Sequence, residues 1–158
     1  MIVEGFLLSG VDKRLVIIGN FINSKYEKKV HDLVLEYNAE DKVIFTGGIY
    51  RLDLLNMLRQ NCFAYIHGHS AGGTNPSLLE AMIMEDIVIA HDNEFNREVG
   101  GNSILYFKDS RDLAKKIANI YSRVEDYRPF KRMAAERVKV LYSWDKVTDR
   151  YDKLLRSL

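Results

Sequence analysis

The chain has 158 residues and a formal net charge of +1, from 23 basic and 22 acidic side chains. This length fits one domain with a sizeable core, and the near-balance of charge excludes a strongly basic nucleic-acid-binding protein. A single cysteine, Cys62, excludes an internal disulfide and a structural zinc cluster, and it indicates a reducing compartment.

Charge is distributed unevenly along the chain. Residues 1–107 carry nine basic and fourteen acidic side chains, whereas residues 108–158 carry fourteen and eight. The basic end is either a solvated helical surface or a surface that meets something anionic. Residues 1–10 lack the basic start and the small-residue cleavage site of an export signal, and no run of residues has the roughly 18 apolar side chains of a membrane span. We therefore expect a cytoplasmic protein.

The chain opens with a segment of helical periodicity, Met1–Leu8. Short apolar runs then alternate with amphipathic stretches, which is typical of a parallel sheet with crossover helices. The predicted strands are Leu15–Ile18, Val43–Thr46, Phe63–His67, Ile87–Ala90 and Ile104–Phe107. The predicted helices that follow are Lys25–Asn38, Arg51–Gln60, Pro76–Met84, Phe95–Val99, Arg111–Tyr121 and Glu125–Leu141, then a last helix with Val147, Tyr151, Leu154 and Leu155 on one face.

These elements predict an α/β fold, a Rossmann-like parallel sheet flanked by helices and followed by C-terminal helices. All strands but the last are continuously apolar, so we expect them to be buried on both faces. A doubly wound domain usually opens with a strand, whereas this chain opens with a helix. Either the fold is unusual, or the chain is a piece of a longer protein whose first strand lies upstream.

The segment from Phe63 to Met82 is the densest in chemically useful residues. A predicted strand runs into the loop Gly68-His-Ser-Ala-Gly-Gly-Thr74, and a helix begins at Asn75-Pro76, which suit its N-cap and first position. Backbone N–H groups at a helix N-terminus bind anions such as phosphate. Glu80 lies one turn into this helix, where a carboxylate can accept hydrogen bonds from two adjacent ribose hydroxyls. The alternative is that Gly72 and Gly73 only form a tight turn and that Glu80 is a surface residue.

The residues of this loop also match two other patterns, a nucleophile elbow and a metal-ligand pair. Gly68-His-Ser70-Ala-Gly72 fits the nucleophile elbow of a serine esterase, but Pro76 would then fall in the first turns of the helix, and the later triad partners have the wrong spacing. His67 and His69 have the spacing of a metal-ligand pair, but the sequence offers no third histidine nearby. We expect no metal site.

Two further predicted strands end in glycine. Gly19-Asn20 follows the first, and Gly47-Gly48-Ile49 follows the second. Ligands of open α/β sheets bind outside the carboxyl ends of the strands. Glycine also follows buried strands for conformational reasons alone, so these loops indicate a nucleotide crevice only in combination with the loop after His67.

The segment His67-Gly-His-Ser-Ala-Gly-Gly-Thr-Asn-Pro-Ser-Leu-Leu-Glu-Ala-Met82, followed by Phe95-Asn-Arg-Glu-Val99, resembles the donor-binding half of GT-B glycosyltransferases of family 4. Within that family it looks most like bacterial rhamnosyltransferases. The closing Tyr142-Ser-Trp144 and its helix are also similar, so the resemblance covers essentially the whole chain.

The resemblance implies the donor-binding domain of a retaining transferase that moves a sugar, rhamnose among the candidates, from a dTDP- or UDP-sugar to a surface polysaccharide or a lipid-linked acceptor. It implies no cofactor. Glu80 would hold the ribose, and Gly47, Gly48 and Ile49 would contact the nucleobase. The residues implied on the phosphates and the sugar are Gly19, Asn20, His69, Gly72, Gly73, Thr74, Asn75 and Ser77.

The sequence departs from the family pattern at three points. Gly72 stands where the first glutamate of the Glu-x7-Glu signature is expected, and Pro76 removes one N–H group. The basic pair that neutralises the diphosphate would lie upstream of Met1, as would the acceptor domain.

We therefore expect residues 1–158 to be one donor-binding domain that alone binds nucleotide weakly and does not turn over. Peripheral contact with the inner membrane leaflet is a further expectation. The alternative is a stand-alone nucleotide-binding module without catalysis.

Overall fold

A computed structural model describes residues 1–157. Over that range eight helices and five strands follow one another in the order α1, β1, α2, β2, α3, β3, α4, β4, α5, β5, α6, α7, α8. The strands are β1 (Leu15–Ile17), β2 (Val43–Phe45), β3 (Tyr65–His67), β4 (Val88–His91) and β5 (Leu105–Phe107). The helices are α1 (Ile2–Ser9), α2 (Ser24–Glu36), α3 (Leu52–Asn61), α4 (Pro76–Ile83), α5 (Glu94–Gly100), α6 (Ser110–Ser122), α7 (Val124–Leu141) and α8 (Trp144–Arg156).

Every predicted helix and strand is present, with ends that differ by one or two residues. The largest difference at a strand is in β3, which begins at Tyr65 rather than Phe63. β1 pairs with β2 in parallel, with Leu15 opposite Val43, and β3 pairs with β4 in parallel, with Tyr65 opposite Val88. β5 lies beside β4 in a sheet of order β3-β4-β5. The predicted α/β fold with parallel strands is confirmed.

The chain forms two compact units, each with its own core. The first comprises residues 1–58 and 107–126, and the second comprises residues 59–106 and those from 127 onward.

In the first unit, α1 packs closely against α6. A Cβ built on Gly5 would lie 2.9 Å from both the Ser110 carbonyl oxygen and Leu113 Cδ2, so only glycine fits there without a shift of the α6 backbone. The Ser110 hydroxyl donates a 2.6 Å hydrogen bond to Glu4. These contacts bury the apolar residues Val3, Phe6, Leu113 and Ile117.

The prediction that β1 and β2 are buried on both faces is wrong. Val16 and Ile44 are register partners, so their side chains lie on the same face, and they are 41% and 38% exposed. The opposite face is covered by α2, where His31 lies 4.4 Å from Phe45 between ring centroids. A strand that is covered by a helix on only one side is half exposed even when all its side chains are apolar. The sequence of the strand therefore does not show whether one or both of its faces are buried.

In the second unit, β4 is the centre of the core. Val88, Ile89 and Ala90 are all at most 1% exposed, which confirms burial on both faces for this strand. Val88 and Ala90 form one cluster with Leu78, Ala81 and Met82 of α4, Val99 of α5, and Ala134 of α7. The Arg137 side chain donates to the carbonyl oxygens of Val99 (2.7 Å) and Glu98 (2.8 Å), which satisfies two acceptors at the C-terminal end of α5.

The last helix, α8, is amphipathic and exposed. Its apolar side chains Trp144, Tyr151, Leu154 and Leu155 are between 58% and 82% exposed. Ser143 caps its N-terminus through a bond from the Lys146 N–H. None of the helices within residues 1–157 combines the length and the hydropathy of a membrane-spanning segment.

Candidate functional site

The loop between β3 and α4 and the helix α4 together carry seven of the twelve predicted site residues. Asn75 organises the transition from the loop into the helix. The Asn75 side-chain oxygen accepts a 2.9 Å hydrogen bond from the Ser77 N–H, and the Asn75 carbonyl accepts from Leu78 and Leu79. Pro76 occupies the first helical position, where its missing N–H costs nothing. The predicted N-cap and helix start are confirmed.

This capping changes which groups are free to bind a ligand. Pro76 has no N–H, and Asn75 already accepts from the next N–H groups of the helix. Within residues 1–157, the N–H groups of Gly73, Thr74 and Asn75 donate to no acceptor. The available donors therefore lie in the loop just before α4, at the positive end of the helix dipole. This arrangement suits an anionic group such as a phosphate.

Two asparagines hold this loop in place. Asn93 Nδ2 and Asn96 Nδ2 each donate a 3.0 Å hydrogen bond to the His69 carbonyl, and Asn96 also donates to the His91 carbonyl at 2.8 Å. Asn96 is only 2% exposed, so its amide depends on these partners. The sequence interpretation gave neither asparagine a role. The sequence signal that could have indicated a role for Asn96 is that its polar amide lies on the same face of α5 as the buried Val99 and Gly100.

Gly72 adopts a backbone conformation that other residues rarely tolerate, with φ at +115°. A Cβ there would lie 2.9 Å from His69 Nε2. Gly73 has no such requirement, because a Cβ there would meet nothing within 4 Å. The loop conformation therefore disfavours a glutamate at position 72, where the family signature has its first one.

His67 is the last residue of β3, and His69 lies two residues further on, in the loop. His67 is buried, whereas His69 is exposed. His67 is 5% exposed, and burial together with the nearby His69 lowers its pKa to about 4. Its Nε2 is buried without a hydrogen-bond partner. The two rings lie 6.0 Å apart between centroids. Across residues 1–157, no group of three or more histidine, cysteine, aspartate or glutamate side chains is placed to hold a metal ion.

Glu80 lies on α4 with its side chain 44% exposed. Its Oε2 atom is 2.6 Å from Nη2 of Arg59, whose side chain is only 10% exposed. The carboxylate is thus held from the protein side and accessible from the solvent side. Arg59 lies near the C-terminal end of α3 and was not predicted as a site residue.

The esterase interpretation of Ser70 does not agree with the structure. A nucleophile elbow needs the helix to start directly after the serine. Here α4 begins at Pro76, six residues further on, and Ser70 is an exposed residue of the loop.

The remaining predicted residues form a separate cluster in the first unit. Gly19 donates to the Gly47 carbonyl at 2.9 Å, and the Asn20 side chain accepts from the Gly48 N–H at 2.9 Å. Gly47 has a positive φ of +68°, which favours glycine. The structure thus brings together the ends of β1 and β2 as predicted, next to the partly exposed Ile49.

Comparison with known proteins shows the family. The family model of glycosyl transferases group 1 matches residues 7–137. No curated protein matches the sequence.

Similar solved structures include HepE from Anabaena in complex with UDP, at 17% identity and a TM-score of 0.86 over 99% of this chain and 44% of HepE. Sucrose-phosphate synthase from Thermosynechococcus elongatus is similar at 21% identity and a TM-score of 0.76, over 98% of this chain and 41% of the synthase. The C-terminal domain of a group 1 family protein, LpcC, from Francisella tularensis is similar at 18% identity and a TM-score of 0.79, over 90% of this chain and 77% of that domain.

The chain therefore spans less than half the length of HepE and of the synthase. At these identities the likeness concerns the fold, which is that of the Rossmann-like C-terminal domain of GT-B glycosyltransferases. Together with the family match over most of its length, this shows that the chain belongs to the glycosyl transferases group 1 family.

Proposed function

We propose that this chain is the nucleotide-sugar donor-binding domain of a retaining glycosyltransferase. The observation that carries the proposal is the β3–α4 loop. It holds the unpaired N–H groups of Gly73, Thr74 and Asn75 at the N-terminal end of α4, with the accessible Glu80 carboxylate further along the same helix. Donors for a diphosphate, in the loop just before α4, and an acceptor for ribose hydroxyls, on α4, therefore lie within eight residues of one another.

The chemistry expected of this loop is stabilisation of a leaving group. When a sugar is transferred from a nucleoside diphosphate, negative charge develops on the departing phosphate. Oriented backbone N–H groups and a helix dipole can stabilise that charge directly. We propose that His69, Thr74 and Ser77 contribute side-chain contacts, and that donor binding needs no metal cofactor.

For the donor, we propose a uridine or thymidine diphosphate sugar. Support for uridine comes from HepE, which was solved with UDP and with UDP-glucose. We propose rhamnose as the transferred sugar, because Gly72 stands where the resemblance implies a carboxylate on the donor-sugar hydroxyls, and a 6-deoxy sugar presents a different edge there. Nucleobase contact by Gly47, Gly48 and Ile49, and phosphate contact by Gly19 and Asn20, remain predictions from the family resemblance.

The proposed partners follow from the share of the related enzymes that the chain covers. The chain spans 44% of HepE, which supports an acceptor domain elsewhere in the full enzyme. We propose a polysaccharide or lipid-linked acceptor at the cytoplasmic leaflet. The exposed Trp144 and Tyr151 of α8, together with the excess of basic over acidic side chains in residues 108–158, support peripheral contact there. Co-sedimentation with anionic but not neutral vesicles would support that contact, and equal sedimentation with both would refute its electrostatic basis.

Calorimetric titration tests the donor site. We expect UDP to bind more tightly than ADP or NAD, and Glu80→Gln to weaken UDP binding about tenfold, which corresponds to one lost charged hydrogen bond. Glu136→Gln is the matched control, because Glu136 is an exposed glutamate that is also paired with an arginine, Arg132. Indifference to all nucleotides, or an equal effect of both variants, would contradict the proposal. Equal affinity for UDP, ADP and NAD would favour the stand-alone module.

A further inference from the structure

The ion pair between Arg59 and Glu80 joins two environments of very different exposure. The Arg59 side chain is 10% exposed and the Glu80 side chain is 44% exposed, with 2.6 Å between Nη2 and Oε2. An ion pair between two exposed groups is mobile and contributes little. Here the Arg59 guanidinium is buried, so the ion pair holds the Oε2 atom of the accessible Glu80 carboxylate in place.

Glu80 is also not the only acid within electrostatic range of Arg59. Asp86 is 2% exposed and interacts with Arg59, and its Oδ2 atom is buried without a hydrogen-bond partner. The second guanidinium nitrogen, Nη1, is likewise buried without a partner in the described part of the chain. Arg59 therefore bonds the more exposed of two nearby carboxylates and makes no ion pair with the more buried one, which accepts a hydrogen bond from Cys62. Simple neutralisation of a buried charge would favour Asp86.

We infer that Arg59 is a positioning residue that fixes the Glu80 carboxylate for the two hydroxyls of a ribose. The inference rests on the proposed function, since it concerns the same nucleotide site. With Oε2 held by Arg59, Oε1 remains free to accept hydrogen bonds from the ligand. A carboxylate that is ordered before binding loses less conformational entropy when the ligand arrives. Arg59 itself need not touch the nucleotide.

The test is the preference of the chain for a ribose diol. The affinities of UDP and of 2′,3′-dideoxy-UDP are measured for the 158-residue chain and for Arg59→Met and Arg59→Lys. We expect Arg59→Met to weaken UDP binding about tenfold and to leave dideoxy-UDP binding unchanged, so that the ratio of the two affinities collapses. Arg59→Lys keeps the charge but not the planar fork, and should give an intermediate ratio.

Two controls isolate the effect. Arg132→Met removes an arginine from an exposed pair with Glu136 and should leave both affinities unchanged. In the Glu80→Gln background, Arg59→Met should change neither affinity further, because its target is gone. Thermal unfolding of each variant shows whether it is folded, and Arg59→Lys serves if Arg59→Met is not.

The outcomes separate this inference from the proposed function. Equal weakening of both ligands by Arg59→Met would show that Arg59 only supports the fold, and unchanged affinities for both ligands would show that it does not position Glu80. Either result overturns the inference and leaves the donor site intact. If the unmodified chain does not bind UDP, or binds both nucleotides equally, the assignment of Glu80 to ribose falls, and the inference falls with it.

Discussion

Gly72 shows how one residue can reshape a family signature. Its φ of +115° lies in a region that favours glycine, and its missing side chain leaves room for the His69 ring. Asn93 and Asn96 bond the His69 carbonyl, three residues before Gly72. The backbone conformation of this loop therefore disfavours the signature glutamate at position 72.

Replacing Gly72 by alanine should lower the free energy of unfolding by about 1–3 kcal/mol, the usual cost of a non-glycine residue in a disfavoured backbone region. Gly73→Ala is the matched control and should change it by less than about 0.5 kcal/mol, because a Cβ there meets nothing within 4 Å. Urea unfolding of both variants measures the difference. Equal effects would contradict the backbone argument.

Asp86 is the buried carboxyl group whose titration should affect stability most clearly. It is 2% exposed, and burial raises its pKa from 3.8 to about 6, although it accepts a hydrogen bond from Cys62. The folded state thus favours the neutral acid. The resulting stabilisation is complete below pH 3.8 and is lost as the pH rises through about 6.

We therefore expect Asp86→Asn to be more stable than the parent at pH 7. The difference in the free energy of unfolding between the two proteins should be about 2.5 kcal/mol larger at pH 7 than at pH 4. His67 acts with the opposite sign, because its pKa is lowered to about 4, so its stabilisation is lost as the pH falls from 6.5 through 4. In Asp86→Asn the opposing Asp86 contribution is absent, so the free energy of unfolding should fall on acidification because of His67. Urea midpoints at several pH values measure both effects, and a difference between the proteins that does not vary with pH would refute them.

The residues of the site could be predicted only in part. Asn75, Pro76 and the loop before them carry local signals, because capping and turn chemistry act within a few residues. Arg59 and Asn96 do not, since their roles depend on partners 21 and 27 positions away in sequence. A contact of that kind is invisible until the fold places the two residues together.

The helices and strands were predictable because each has its own periodicity and end signals. What the pattern could not show was how many neighbours cover a strand. β1, β2 and β4 are all apolar, yet Val16 and Ile44 are partly exposed whereas β4 is fully buried. Burial on both faces depends on layers that other segments supply.

The packing of α1 on α6 gives a prediction for these elements. Gly5→Ala should lower the free energy of unfolding by about 1–3 kcal/mol, because the added Cβ meets the Ser110 backbone at 2.9 Å and overpacks the contact. Leu8→Ala is the control on the same helix, at a side chain that is 45% exposed, and should cost less. Chemical denaturation compares the two. A neutral or stabilising Gly5→Ala would show that the helices have room to separate.

The molecule as a whole is a group 1 glycosyl transferase domain whose two units each present glycine-rich strand ends. In the second unit the strongest feature is the β3–α4 loop, with three unpaired N–H groups before α4 and Glu80 beyond them. The near-neutral charge of the chain is compatible with the proposed phosphate site, because phosphate binding at a helix N-terminus needs no strongly basic surface.

The most direct test of the donor site is a UDP titration of the isotopically labelled chain, followed by the amide resonances in two-dimensional NMR. The account predicts that the largest shifts fall on the N–H groups of Gly73, Thr74 and Asn75, and that Glu80→Gln weakens them. Shifts confined to residues 124–157, or no shifts at saturating UDP, would contradict it.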